Sequence, residues 1–254
     1  MNKADNFLFK IFGLPYLFAR QPLATIERVL RVVGQIDNKK SLNILDVGCG
    51  SGIFSFMLSK KGHKVIGLDR KESQDKLNFR SGIINKKYKG NTVIFGCDIR
   101  FFDFSQLGSD FDYVICTEVI EHILDDNRLI KEIAGILKKD GVLLLTAPYK
   151  NYVRFKYDTI SYIEDGGHVR WGYDLEDFEK LCQNNNLKIV WNGFISGYIS
   201  QKLIHIHHWL ASRVGDGLAI IITYPLRSLV LIDYFVTRIK NYPYLSIAIK
   251  ARKI

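Results

Sequence analysis

Nine residues, Ile44-Leu-Asp-Val-Gly-Cys-Gly-Ser-Gly52, set three alternating glycines directly behind a short apolar run. Glycine admits left-handed backbone and lets the main chain approach a ligand closely. A helix starting just after would present unpaired N–H groups to that ligand. The order is D-x-G-x-G-x-G. A dinucleotide fingerprint begun at Gly48 needs its third glycine where Ile53 stands, and the lysine of a P-loop is missing, so both are excluded. Asp69 follows Asp46 by 23 residues, near the spacing at which an acid meets a ribose diol, and Asp98 closes a later apolar run. Taken alone, Asp98 reads better as a solvated turn residue; as the third acid at the carboxyl end of successive strands it reads as a ligand-binding group.

Proton-handling candidates come next. Glu118, Glu121 and His122 follow the run Phe111–Cys116, and His168 lies in the glycine-flanked segment Gly166-Gly-His-Val-Arg-Trp-Gly-Tyr173. Histidine titrates near neutrality, so either His122 or His168 can serve as a base. A structural helix-start role is the competing reading of His122. No metal site is expected: His205, His207 and His208 do not share one helical face and lack a companion carboxylate, and Cys49, Cys97, Cys116 and Cys182 form no C-x-x-C pair.

These residues need elements to hold them. Helices are expected over the first forty residues, with Thr25–Val33 at helical spacing. Apolar runs predict strands at 43–47, 64–69, 91–97, 111–116, 142–146 and 187–192, and a final edge strand at 244–250. Helical patterns fall between them at 53–61, through the seventies and eighties, at 126–139 and at 175–185, the turn after 116 leading straight into a helix at Glu121. Such alternation means βαβ units and a parallel sheet with helices on both faces, whose ligands bind at the carboxyl ends of the strands.

At this point the chain resembles the class I S-adenosylmethionine-dependent methyltransferases, on the strength of ILDVGCGSG and over residues 40–193 with the last strand added. Phe111-Asp-Tyr-Val-Ile-Cys-Thr-Glu-Val-Ile-Glu-His-Ile123 is most similar to the group containing the polyprenyl-quinone O-methyltransferases. The resemblance implies an α/β, Rossmann-like sheet of seven strands in the order 3-2-1-4-5-7-6, the seventh antiparallel. It divides the chain into an N-terminal helical cap (1–40), a cofactor-binding core (41–193), a helical insertion (194–243) and the final core strand (244–254). It further implies that Gly48, Cys49, Gly50 and Gly52 hold the methionine part of S-adenosylmethionine and that Asp46 orients its amino group. Asp69 would bind the ribose, Asp98 with the backbone of Ile99 would read the adenine amine, and Cys116, Thr117 and Glu118 would line the methionyl end. Glu121, His122 and His168 are its candidates for the catalytic step.

Composition sets the outer limits. The chain has 254 residues, 47% hydrophobic and 24% charged, which excludes a disordered or disulfide-scaffold protein. Its net charge of +10 favours anionic partners. Residues 201–254 carry eight Lys and Arg against Asp216 and Asp233, mixed with Trp209, Tyr224, Tyr234 and Phe235. That mixture describes a helix lying in an anionic membrane surface, with a hydrophobic lid or a homodimer face as the competing readings. Asp233, Arg227 and Pro225 argue against a spanning helix at 218–236, and no cleavage site follows the apolar stretch at 7–19. A cytoplasmic protein, peripheral at the inner face of a membrane, is the expected setting. The expected function is O-methylation of a small or lipid-linked acceptor. An RNA or protein methyltransferase and a non-catalytic scaffold are the alternatives, nucleic acid being disfavoured because the cations are mixed with apolar residues.

Overall fold

A computed structural model describes residues 3–37, 41–154 and 159–254. The helices α1 (Lys3–Phe12), α2 (Leu14–Ala19) and α3 (Leu23–Val33) precede β1 (Asn43–Val47). The boundary expected at residue 40 falls on positions outside the described residues. Then come α4 (Ile53–Lys60), β2 (Lys64–Asp69), α5 (Gln74–Tyr88), β3 (Asn91–Gly96), β4 (Phe111–Thr117), α6 (Asp126–Ile136) and β5 (Leu137–Pro148). The chain continues through α7 (Leu175–Gln183), β6 (Leu187–Ile195), α8 (Tyr198–Val214), α9 (Asp216–Thr223), α10 (Asp233–Ile239) and β7 (Ser246–Lys253).

The seven strands form one sheet in the order β3-β2-β1-β4-β5-β7-β6. The first five are parallel, and β7 runs antiparallel to both β5 and β6. The central strands β1, β4 and β5 carry apolar runs because both of their faces are covered. Leu45, Val47, Val114, Cys116, Leu143 and Leu145 point into one core with α6 and α7, while Ile44, Tyr113, Ile115, Val142 and Leu144 point into the other with the N-terminal helices and α4. Period-two alternation thus places Asp46 on the Ile44 side, facing α4.

Three expectations are corrected. β7 is not an edge strand: it hydrogen-bonds on both sides, and Ser246 through Ile249 are all buried. The alternating pattern there was really a run of small and β-branched residues filling the sheet's middle; β3 and β6 are the edges. α6 stops at Ile136, because Leu137 pairs with Phe111 and the Lys138 ammonium bonds Asp112 at 2.9 Å, pulling these residues into strand. The turn after β4 does not start a helix at Glu121. Residues Ile120–His122 make a single 3-10 turn, and α6 begins separately behind Asp125, whose carboxylate caps Arg128 N–H.

The inserted helices are tied back to the core by polar side chains. Asp233 accepts from the N–H groups of Gly197, Ile199 and Ser200 at the start of α8, and from Ser200 Oγ at 2.6 Å. Ser200 Oγ also lies 2.8 Å from Glu27 Oε1, and Ser196 Oγ donates to Glu27 Oε2. One hydroxyl hydrogen cannot serve two carboxylates. A protonated Glu27 resolves this by donating to Ser200, which donates to Asp233. Burial pushes the Glu27 carboxyl up from 4.5 to about 7, with the Asp233 charge adding to the rise. The folded chain therefore binds a proton here that the unfolded chain releases, so this contribution to stability is complete below about 4.5 and is lost as pH climbs to about 7. A Glu27→Gln variant should flatten the fall in unfolding midpoint across that window, measured by thermal melts at stepped pH; an unchanged slope would contradict the proton assignment.

Candidate functional site

The turn between β1 and α4 is left-handed at all three glycines, with φ +70 at Gly48, +56 at Gly50 and +79 at Gly52. L-residues reach that region at a cost of about 1–2 kcal/mol each. Two of the glycines are also required by crowding. A Cβ on Gly48 would sit 2.4 Å from Val119 Cγ2, and one on Gly52 2.4 Å from the Phe56 ring. At Gly50 the nearest atom is 3.9 Å away, so that position is open to a ligand. The turn is held from below and from the side. Cys49 N–H donates to the Leu68 carbonyl at 2.9 Å, and Gly50 N–H donates to the Asp69 carboxylate, which also accepts from Arg70 N–H.

Asp46 is buried beneath the turn. Its Oδ2 accepts from Ser55 N–H and Ser55 Oγ, fixing the first turn of α4, while Oδ1 has no partner among the described residues. Burial pushes its carboxyl up to about 7, against the pull of the Ser55 bonds. A buried acceptor without a donor is costly unless something supplies one.

In front of the turn lies a cleft of about 410 Å³ at the carboxyl edge of the sheet. Of the residues named from sequence it brings together Gly48, Asp69, Asp98, Ile99 and His122. Arg70, Cys97, Arg100, Val119 and Ile123 line it too, and Glu164, Asp165 and Gly166 close it from a flap, residues 159–170. Sequence reasoning missed the flap's acids. They reach the site through tertiary bonds that no local pattern encodes: Leu124 N–H donates to Glu164 Oε1 at 2.7 Å, Val169 N–H to the Glu121 carbonyl at 2.9 Å, and Arg100 to the Glu164 carbonyl. Arg100 was findable as the basic residue two places after Asp98. It engages both carboxylate oxygens of Asp98 and holds that group below the usual carboxylate range. Asp98 is thus a paired acid in a partly exposed turn, where it also accepts from Arg100 N–H. Four carboxylates against two guanidiniums leave the cleft acidic, which suits a cationic ligand.

The remaining predicted residues lie elsewhere. Cys49 and Cys116 are packed in the core, and burial pushes both thiols up, as it does Cys97 (to about 11) and Cys182 (to about 12). Thr117 ends β4, half-buried. Glu118 turns away from the cleft lining. Its carboxylate takes Thr146 Oγ1 at 2.9 Å and Ser246 Oγ at 3.3 Å and forms an ion pair with Arg28 of α3 at 3.0 Å, on a backbone at φ +52.

Glu121, His122 and His168 converge. Their ligand-type atoms all lie within 4.8 Å of one another. The two imidazoles meet edge to face with centroids 4.9 Å apart. His122 Nδ1 sits 2.9 Å from the Gly167 carbonyl, so it carries the proton in the neutral ring and Nε2 is left as the acceptor, 3.9 Å from Glu121 Oε1. Glu121 is buried with Oε2 unpartnered, and burial, then the Glu118 charge, push its carboxyl well above the usual range. A carboxylate and two imidazoles can move a proton; the same three can also chelate a divalent ion, which the sequence reading did not foresee because His168 is far away in the chain. Of the other histidines, His207 does have an acidic neighbour, Asp216 at 3.1 Å, contrary to expectation.

The fold and the turn agree with what the chain is similar to. Residues 18–191 match the methyltransferase-domain family. A ubiquinone biosynthesis O-methyltransferase of Coxiella burnetii is 31% identical over 144 residues, 55% of this chain and 58% of that protein. Its mitochondrial counterpart from Bos taurus is 28% identical over 193 residues, 68% of this chain and 50% of that protein. The chain thus spans about half the length of the curated relatives it matches. Among solved structures, a Haemonchus contortus phosphoethanolamine N-methyltransferase in complex with S-adenosyl-L-methionine superposes with a TM-score of 0.61 at 18% identity, covering 100% of this chain and 60% of that one. The chain belongs to the methyltransferase-domain family, and its fold is that of solved S-adenosylmethionine-dependent methyltransferases.

The two kinds of glycine should respond differently. Gly50→Ala meets only the backbone penalty, about 1–2 kcal/mol. Gly48→Ala adds the Val119 clash and should cost about 2–5 kcal/mol in chemical denaturation. Equal losses at the two sites would contradict this packing.

Proposed function

We propose that the chain methylates an oxygen of a small or lipid-linked acceptor, a hydroxyl of the kind found on a ubiquinone precursor. One arrangement carries the reading: the left-handed turn, bonded to Asp69, and His122 line a single cleft, and behind His122 stand Glu121 and His168. The similarity to ubiquinone biosynthesis O-methyltransferases supports an oxygen acceptor.

The cofactor supplies a methyl group already activated on a sulfonium. The backbone of Gly48, Cys49, Gly50 and Gly52 holds the methionine part. Asp46 turns its spare Oδ1 to the amino group, and the main chain at Cys116 and Thr117 lines the same end. Asp69 takes the ribose hydroxyls. Asp98 and the Ile99 backbone take the adenine edge, with Arg100 holding the carboxylate ionised. Glu118 keeps α3 against the sheet edge through Arg28, a positioning role in place of the cofactor contact expected from sequence. His122 receives the acceptor's proton on Nε2, with Glu121 and His168 setting the ring's orientation. The flap keeps water from the sulfonium.

A divalent ion on Glu121, His122 and His168 is the competing account of how the hydroxyl is activated, favoured by their convergence. The reading as an RNA or protein methyltransferase rests on charge alone. The scaffold reading is the weakest, since the turn and its acids are intact. An anionic membrane as partner and a peripheral location belong to the same proposal and meet at the inserted helices, where a homodimer face or a lid over the acceptor is the competing reading.

Labelled methyl transfer into fractionated lipid, small-molecule, RNA and protein extracts tests the acceptor. Label is expected in the lipid or small-molecule fraction; label confined to RNA or protein would overturn the reading. His122→Ala should lower kcat by roughly 10²–10⁴ while leaving cofactor affinity intact. Activity should also survive dialysis against a chelator. Loss restored by added Zn²⁺, Mn²⁺ or Mg²⁺ would assign the cluster to a metal instead.

A further inference from the structure

The inserted helices expose a set of large apolar side chains that nothing among the described residues covers. Between β6 and β7 the chain folds as α8, α9, a 3-10 stretch at Pro225–Ile232, and α10. Its apolar residues are not turned inward as a small helical domain would turn them. Leu231 is 86% exposed, Ile239 85%, Ile221 69% and Phe235 66%, with Ile222 and Ile232 about half exposed. Nor is this looseness: Asp233 stitches α10 to the first turn of α8 with bonds of 2.6–3.2 Å, and Thr237 Oγ1 accepts from Tyr198 N–H at 2.8 Å. The surface is preformed.

Its charge is one-sided. Lys202, Arg213, Arg238 and Lys240 are exposed. The only acids on these helices are Asp233, which is buried, and Asp216, which faces His207 at 3.1 Å. The cations lie over aromatic rings: Arg213 over Trp209 at 4.6 Å, Arg238 over Tyr234 at 5.7 Å, Lys240 over Tyr198 at 5.1 Å. Apolar side chains between such pairs match the layering of a bilayer interface, where tails take the aliphatic groups, the headgroup zone takes rings, and phosphates take cations.

Length and hydropathy agree. Among the described residues no single helix is long and apolar enough to cross a membrane, but Asp216–Thr223 and Pro225–Ile239 together reach the composition of a span and are bent by 53° at their junction. The bend, together with the exposed apolar and cationic side chains, fits a pair lying along a bilayer surface better than a straight span. A second copy of the chain fits less well, because a two-fold contact would bring the same cations face to face.

We propose that α9, the Pro225–Ile232 stretch and α10 dock the enzyme on an anionic lipid surface. The location follows from the sheet: β6 ends at Ile195, paired with Ser246, whose hydroxyl bonds Glu118 at the end of β4. The docking face therefore hangs from the sheet edge that carries the cleft, where a lipid-linked acceptor rising from the bilayer would arrive. This placement rests on the lipid-linked form of the proposed function and gives it a route.

Sedimentation with vesicles tests it on the whole chain. Binding to phosphatidylcholine vesicles containing about one-third phosphatidylglycerol should exceed binding to phosphatidylcholine alone by tenfold or more, and should fall about tenfold from about 0.05 to 0.5 M salt. The exposed substitutions Leu231→Glu with Phe235→Glu should abolish it without changing the circular dichroism, and Arg238→Glu with Lys240→Glu should remove the lipid-charge preference. No vesicle binding by the wild type at low salt overturns the proposal. So does a concentration-dependent dimer in light scattering that the Leu231/Phe235 variant dissolves without any vesicle binding. Calorimetry with S-adenosylmethionine on the same samples separates the two claims: a chain that binds cofactor but not vesicles refutes the docking face alone, and one that binds vesicles but not cofactor refutes the proposed function.

Discussion

The structure depends on a backbone constraint at one place, the passage from β1 into α4. Three left-handed residues in five reverse the chain within a space that Val119 and Phe56 already crowd, and only glycine satisfies both demands at Gly48 and Gly52. Two carboxylates then lock the turn, Asp69 on the Gly50 N–H above and Asp46 on Ser55 below. Both acids come from the first two parallel strands, so the sheet register that pairs Asp46 with Gly67 sets the turn as well. Everything that could meet a ligand is placed relative to this point.

On the opposite side of the cleft the chain uses looser means. No strand tip supplies Glu164, Asp165 or Gly167. They come from a flap whose bonds run to the 3-10 turn at Ile120–His122 and to Arg100. The same contacts orient His122, because its Nδ1 meets a flap carbonyl. Flap position and imidazole tautomer are therefore one structural event, and the convergence of Glu121, His122 and His168 exists only while the flap is seated.

Much of this was legible in the residues. Runs such as Asn43–Val47 and Phe111–Cys116 are strands because both faces of a central sheet are covered, and a double-sided burial leaves an unmistakable apolar run. The glycine turn was legible because its chemistry is local. What was illegible was set by tertiary contact. β7 reads as an edge strand by its alternation, yet its small residues place it between β5 and β6. Lys138 reads as helical until Asp112 and the Phe111 pairing claim it. Glu118, next to the cleft in sequence, is drawn to Arg28, Thr146 and Ser246 instead, and Arg28 comes from a helix ninety residues earlier in the chain.

The central claim is that the β1–α4 turn and the acids around it form a seat for a nucleoside sulfonium. Calorimetric titration of S-adenosylmethionine into the wild-type chain addresses it most directly. The account predicts a saturable signal with one site per chain, weakened by Asp69→Ala. Absence of saturable heat from a folded sample, or binding indifferent to that substitution, would contradict it.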